Sequence, residues 1–571
     1  MSEERRKKLP PVRRGRPRKT VQVRFPDGSL LEAPVGTPLE AFIVARPNEP
    51  PAVLALAEGR LLELTYPVRH DMAVQPLTLA HSDGMRVYQR SLSFLLVVAA
   101  HEVFPQARIV VDHSLTLNGF YCRVEGREPF TAEELARLEA HMRALVEADL
   151  PIVRRRVSLA EARQIFERQL YLDKVRLLAF RQKDYLTVYE LRGVYDYFYG
   201  HMVPSTGYLR LFALHPYPPG FILRFPRRSD PSVLPPFRDS PKLAAVFQEY
   251  GEWMRFLGIE DLADLNRANE AGRMREIILV SETLHAQRLA EIAREIAGRR
   301  ETVRLVLIAG PTSAGKTTFS KRLGVQLLAN GLRPLPLSLD DYFIPRDQTP
   351  LDEDGQPNYE ALEALDRELL GEQLLALLEG REVTLPRYNF LSGERERGPT
   401  LSLQPGQVLL IEGLHGLNPE LLPRIPPECI YRVYVSALSQ LNLDQHNRIP
   451  TTDTRLLRRI VRDARARGYT ARETIACWER VRRGEERYIF PYQENADAMF
   501  NSALAYELAV LKPLAEPLLR QIEPGTLEWV EARRLLAFLE WIRPCSPYLV
   551  PDNSILREFI GGSILEEFRF L

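Results

Sequence analysis

The stretch Arg304–Gly331, RLVLIAGPTSAGKTTFSKRLGVQLLANG, decides how the rest of this chain is read. A short apolar run, RLVLIA, enters a glycine-bounded loop and leaves it in a helical pattern, which is a strand–loop–helix unit. Gly310, Pro311, Thr312, Ser313, Ala314, Gly315, Lys316 and Thr317 fit G-x-x-x-x-G-K-[ST], and Thr318 follows. Glycines at 310 and 315 let the backbone aim successive N–H groups at one point, and a helix starting near Lys316 adds its positive end. That is a phosphate cradle, so ATP is the expected ligand. Lys316 should bridge β- and γ-phosphates, and the Thr317 hydroxyl should ligate Mg²⁺. Only nine of the 76 basic residues are lysines, yet one stands where a compact ammonium serves better than a planar guanidinium.

Outward from the loop, RPLPLSLDDYF (Arg333–Phe343) reads as a second strand ending in Asp340 and Asp341. Ligands in open α/β sheets sit at that end of the strands, where a carboxylate can take the proton of an acceptor hydroxyl. An ordinary strand-to-loop cap is an equal alternative on position alone. QVLLIEG (Gln407–Gly413) is an apolar strand ending in Glu412, a place from which a carboxylate can hold the Mg²⁺ water shell. DTRLLRRIVRDARARG (Asp453–Gly468) puts Arg455, Arg458, Arg459 and Arg462 on one helical face, with Asp453 and Asp463 offering little compensation. Anionic phosphate is the expected neighbour of that face.

In order and spacing, GPTSAGKTT, SLDDYF, LPRYNFLSGERERG, VLLIEGLHGL and DTRLLRRIVRD resemble uridine kinases of the uridine kinase/phosphoribulokinase group over about residues 303–520. The resemblance implies a P-loop NTPase fold with a doubly wound parallel sheet, ATP and Mg²⁺ as cofactors, and a nucleoside as substrate. It implies Asp340 as the catalytic carboxylate beside Lys316 and Arg455, Arg455 as a substrate contact, and Arg459 and Arg462 in a lid over ATP. Tyr388 in PRYNF matches a tyrosine lining the base site, and Tyr359 and Glu360 fall where the group has a Phe-Asp pair on base and ribose. Thr317 and Glu412 take the metal positions. One departure stands out: Gly393 replaces the histidine that reads the pyrimidine, and loss of a base-reading donor relaxes discrimination. A phosphorylated sugar, the rival acceptor, would call for basic residues nearby; Leu391, Ser392 and Gly393 supply none before Arg395.

The front of the chain has a different texture. TVQVRF and LLEAPV alternate around PDGS, a helical pattern follows, and two short strands flank a glycine turn, which is a β-grasp arrangement closing near Ala80. Through PDGSLLEAPVGTPLEAF and GRLLEL it resembles the TGS domain of threonyl-tRNA synthetases. PIVRRRVSLAEARQIFE and YGHMVPSTGYLRLFAL resemble those enzymes' second additional domain, an α+β unit that edits mischarged tRNA with an H-x-x-x-H and C-x-x-x-H ligand set. Those four positions fall here on Arg90, Phe94, Phe198 and Met202, none of which can serve as a zinc or water-activating ligand. His81, His101, His113 and His201 are the nearby alternatives. The module is expected to bind or position something without hydrolysing it.

The expected layout is a basic arm at 1–19, a TGS-like domain at 20–80, an editing-like domain at 81–235, a helical connector at 236–300, the kinase-like domain at 301–545 and a C-terminal tail at 546–571. The arm, with RGRP at Arg14–Pro17, cannot pack and is read as a solvated polycation or an RNA or tRNA contact shared with the front domains. With 76 basic against 75 acidic residues, bulk charge does not hold the body of the protein on nucleic acid or lipid. Four scattered cysteines form no C-x-x-C pair and fit a reducing cytoplasm. No apolar run approaches the ~18 residues of a membrane span. A homo-oligomer is left open.

Overall fold

The computed structural model describes residues 18–46, 51–116, 119–353 and 355–570. The arm through residue 17, with its RGRP segment, and Asn118 of the expected hairpin turn therefore lie outside the described residues. Leu305–Ala309 is buried at every position, as an uninterrupted apolar strand must be when both sheet faces are covered. It is the centre of a five-stranded parallel sheet in the order Arg333–Ser338, Gln407–Gly413, Leu305–Ala309, Ile430–Ser436 and Ala498–Asn501. Register aligns Glu412 with both Ile308 and Ser338, so the phosphate loop, Glu412 and the residues after Ser338 emerge at one edge.

Two glycines make the loop possible. A Cβ on Gly310 would fall 1.9 Å from the Val435 carbonyl oxygen, so only a bare backbone passes the neighbouring strand. Gly315 takes φ +87°, the left-handed turn from which helix Lys316–Ala329 begins. Beside the sheet, Val383–Asn389 and Glu394–Leu401 pair as an antiparallel flap.

The front residues form the expected mixed structure. Thr20–Arg24 pairs antiparallel with Leu30–Pro34 and parallel with Met72–Thr78, within a five-stranded sheet completed by Ala52–Ala57 and Arg60–Leu62. Helix Ser82–Val103 then leads to the strand pair Arg108–Leu115 and Gly119–Glu125. The capping box of helix Ala132–Glu147 is formed: the Thr131 hydroxyl accepts from the Glu134 N–H at 3.2 Å, and the Glu134 carboxylate accepts from the Thr131 N–H at 3.0 Å. Between front and back lie helices Pro241–Phe256, Leu262–Glu270 and Met274–Gly298.

These parts share one core. A continuous apolar cluster runs from Val157 to Phe559, joining the second front region, the connector and the kinase-like sheet. A buried polar knot reinforces the junction. The loop ahead of helix Thr451–Ala466 inserts Asp444, His446 and Asn447 among front-region residues. Lys174 Nζ lies 2.7 Å from Asp444 and 2.8 Å from Asp196, and His446 Nδ1 lies 2.6 Å from Asp196. Asn447 donates to the Tyr197 carbonyl oxygen at 2.8 Å.

Candidate active site

Lys316 folds back on its own loop, donating to the carbonyl oxygens of Gly310 at 2.8 Å and Pro311 at 3.2 Å. Burial pushes its ammonium below the ordinary lysine value, opposed by the carboxylates of Glu412, Asp340, Glu558 and Glu360. The Thr317 hydroxyl donates to Glu412 Oε1 at 3.3 Å, while Glu412 Oε2 is buried without a hydrogen-bond partner. Burial, and after it the charge of Glu558, pushes the Glu412 carboxyl up to about 7 against the pull of Lys316. A carboxylate oxygen left unmatched beside a hydroxyl is a hard-oxygen donor set that fits Mg²⁺.

The adjacent aspartates have separate tasks. Asp341 Oδ1 accepts from the Tyr388 N–H at 3.2 Å and so ties the flap to the sheet edge. The local cap is supplied by Ser338, whose hydroxyl accepts from the Asp340 N–H at 3.2 Å. Asp340 itself is exposed. Its carboxyl is raised above the usual range by the enclosing walls and by Asp341, with Lys316 and Arg467 opposing.

The expectation that little carboxylate offsets the arginine face of helix Thr451–Ala466 is overturned. Arg455, only 1% exposed, pairs with Glu485 through both guanidinium ends and donates to the Thr312 carbonyl oxygen at 2.9 Å; Glu485 in turn accepts from the Thr312 N–H at 3.0 Å. Arg458 pairs with Glu507 at 2.6 Å and donates to the Ser502 carbonyl oxygen at 2.7 Å. Arg459 and Arg462 both lie on Asp463, at 3.2 and 2.8 Å. The physical reason is tertiary: Glu485 and Glu507 come from helices Ala471–Tyr488 and Glu507–Arg520, which sequence spacing does not bring to this face. Arg455 and Arg458 brace the phosphate loop through its carbonyls.

The expected acceptor residues converge. Tyr359 and Tyr388 approach through their hydroxyls at 3.3 Å, and Phe343 sits edge-on to both rings at 5.2 and 5.6 Å. Arg346, which sequence reading missed, donates to the Tyr359 hydroxyl at 3.1 Å, and its backbone N–H donates to the Gly393 carbonyl oxygen at 2.9 Å. Gly393 itself turns at φ +77°. A cation therefore reaches the place where the sequence around Leu391–Gly393 shows none, because the loop at Arg346 folds over the flap.

Glu360 follows Tyr359, and its side chain packs against Gly484. Burial, then Glu485, pushes its carboxyl up to about 7, against Lys316 and Arg459. A carboxyl raised by folding favours the folded state most below its unfolded value near 4.5, and that contribution is lost as pH rises toward 7. Glu360→Gln mimics the protonated form. Its thermal midpoint relative to wild type should therefore be higher at pH 8 than at pH 5, and an equal difference at both pH values would contradict the raised carboxyl.

In the front region the four positions aligned with metal ligands are occupied by packing. Phe94 and Phe198 meet edge-on at 5.5 Å, Met202 Sδ accepts from the Ser91 hydroxyl at 3.3 Å, and Arg90 donates to the His201 carbonyl oxygen at 2.6 Å. His81 caps helix Ser82–Val103 by accepting from the Asp83 N–H at 3.2 Å, and His113 stacks on Phe247 at 3.9 Å. Among the described residues no group of three or more His, Cys, Asp or Glu side chains is placed to hold a metal.

Residues 305–508 match the model of the Phosphoribulokinase / Uridine kinase family. The front of the chain matches threonine–tRNA ligases, with 34% identity over 202 residues to that of Symbiobacterium thermophilum and 31% over 197 residues to threonine–tRNA ligase 1 of Bacillus subtilis. Each match covers 34% of this chain, which spans about 30% of the length of those ligases. Among solved structures, a possible uridine kinase from Bacillus stearothermophilus aligns at 22% identity over 38% of this chain and 98% of that one, with a TM-score of 0.24. D-glycerate 3-kinase from Cryptococcus neoformans aligns at 16% identity over 48% of this chain and 87% of that one, with a TM-score of 0.21. Residues 305–508 are thus similar to the phosphoribulokinase/uridine kinase family, and the front of the chain is similar to threonine–tRNA ligases.

Proposed function

We propose that this protein transfers the γ-phosphoryl group of ATP to the 5′-hydroxyl of uridine, cytidine or a related nucleoside. The observation that carries the reading is the sheet register, which brings the Lys316 loop, Glu412 and the open carboxylate of Asp340 to one edge. The Gly310–Thr318 amides and Lys316 bind phosphate oxygens, and Arg455 holds the loop in shape from behind. Thr317 and Glu412 are the residues that would hold Mg²⁺, which supplies positive charge to the transferring phosphoryl oxygens. Asp340 accepts the proton of the acceptor hydroxyl. Tyr359 and Tyr388 line the acceptor ring, and Glu360 accepts from its sugar hydroxyls. Arg459 and Arg462, already on the helix beside the loop, supply lid charge once released from Asp463.

The test is ADP release from Mg·ATP by the purified protein against a panel of nucleosides and sugar phosphates. Stimulation by uridine or cytidine, lost in Lys316→Ala, is the expected result. Stimulation by sugar phosphates alone would replace the nucleoside, and the cation of Arg346 at the flap would then be the acceptor-phosphate contact.

The similarity of the front region to threonine–tRNA ligases favours a second reading, an RNA- or tRNA-binding regulator in which residues 20–235 and the arm contact RNA and ATP acts as the switch. We read 20–80 and 81–235 as the two front domains, 236–300 as the brace and 301–545 as the kinase. RNA affinity that falls steeply with salt and weakens without residues 1–19 would support this reading. No described helix is long and apolar enough to cross a membrane.

A further inference from the structure

The C-terminal segment lies along the phosphate loop and its helix. Ile555 sits so close to Gly315 that a Cβ there would come within 2.5 Å of its Cγ2. Glu558 Oε2 accepts from the Thr318 backbone N–H at 3.0 Å. Lys321 Nζ donates to the carbonyl oxygens of Leu565 at 2.5 Å and Glu566 at 3.1 Å, and a Cβ on Gly324 would meet the Phe570 ring at 2.1 Å. Contacts at 315, 318, 321 and 324 follow an i+3 row that winds along helix Lys316–Ala329 from its N-cap, Gly315. The far side of the segment is seated as well: Ile555, Leu556 and Phe559 are fully buried, and the Arg465 guanidinium donates to the Glu558 and Phe559 carbonyl oxygens at 3.4 Å.

The N–H groups at the start of a helix have no partner within it and favour an anion. Here the Thr318 N–H, part of the phosphate cradle, already holds one. A carboxylate oxygen and a phosphate oxygen cannot share that donor, and Glu558 adds negative charge beside Glu412 that a nucleotide's phosphates would have to meet. We propose that residues 546–570 are a built-in competitor of the nucleotide, in which the Glu558 carboxylate occupies a phosphate position on the loop and the segment must withdraw for ATP to seat. The proposal rests on the nucleotide reading of the loop. It assigns the apo protein a closed state, so the apparent affinity for nucleotide is the intrinsic affinity reduced by the open fraction.

The experiment is binding of a fluorescent ADP analogue to the full chain as wild type, Glu558→Ala, Glu558→Gln, Glu567→Gln and Lys316→Ala. Glu558→Ala should bind about fivefold tighter than wild type, the scale of one hydrogen bond, with Glu558→Gln between them. Glu567 is exposed on the same segment, and its variant should match wild type. Unchanged or weaker binding by both Glu558 variants, with binding by wild type and its loss in Lys316→Ala, overturns the competitor alone. Absence of binding in wild type and Glu558→Ala alike, or binding undiminished in Lys316→Ala, removes the nucleotide reading and the proposal with it. A second measurement needs no variant. Saturating ADP should speed hydrogen exchange at the Phe559 and Gly561 amides, which are bonded within the segment at 3.0 and 2.8 Å. Slower exchange would make the segment a wall of the nucleotide pocket and overturn its withdrawal.

Discussion

Asp340→Asn should reduce turnover by a factor of about 10²–10⁴, the range of general-base contributions, while leaving nucleotide affinity nearly unchanged. The separation of effects follows from the geometry. The phosphate loop is shaped by Gly310, Gly315, Arg455 and Glu485, and Asp340 touches none of their hydrogen bonds. Its backbone is fixed by the Ser338 cap, which the substitution keeps. Asp341→Asn makes the informative comparison, since Asp341 anchors the flap at the Tyr388 amide and should act mainly on KM for the acceptor. Single-turnover phosphoryl transfer with the best acceptor from the panel, measured alongside ADP binding, checks both. Full turnover in Asp340→Asn would remove the base from this site.

Lys174→Met should destabilise the protein by about 3–5 kcal/mol, the cost of leaving a buried carboxylate without its partner. Lys174 is 2% exposed and serves two carboxylates, Asp196 and Asp444, that are equally withdrawn from water. The surrounding carboxylates raise its ammonium well above the ordinary lysine value despite burial. Asp444 belongs to the loop that leads into helix Thr451–Ala466, which carries Arg455 to the phosphate loop. Damage at Lys174 should therefore reach the phosphate-loop site as well as the global fold. Thermal unfolding of Lys174→Met, Asp444→Asn and the double variant provides the check. The double variant should recover part of the loss, because a neutral pair leaves fewer uncompensated charges; a midpoint equal to wild type in Lys174→Met would show the knot to be energetically idle.

Glycines 310 and 315, Lys316 and Thr317 were legible in the sequence because a phosphate loop is a local object, built from one backbone path and its own helix. The strand ends at Asp340 and Glu412 were legible for a related reason: uninterrupted apolar runs become central parallel strands, and their last polar residues emerge at the ligand edge. The missing ligand set at Arg90, Phe94, Phe198 and Met202 could also be read directly, since those side chains lack the chemistry.

The tertiary structure decided the electrostatics of the buried cations. Arg455 and Glu485 are 30 residues apart, Arg458 and Glu507 are 49 apart, and Lys174 and Asp444 are 270 apart. Nothing in a helical repeat reveals a partner at such distances, so an arginine face that reads as bare is buried and paired. Arg346 reaches the flap for the same reason. So does Glu558, which lies 240 residues from the amide it caps. Local periodicity fixes which elements form and which way each faces, but the counter-charge of a buried ion comes from whichever distant helix packs against it.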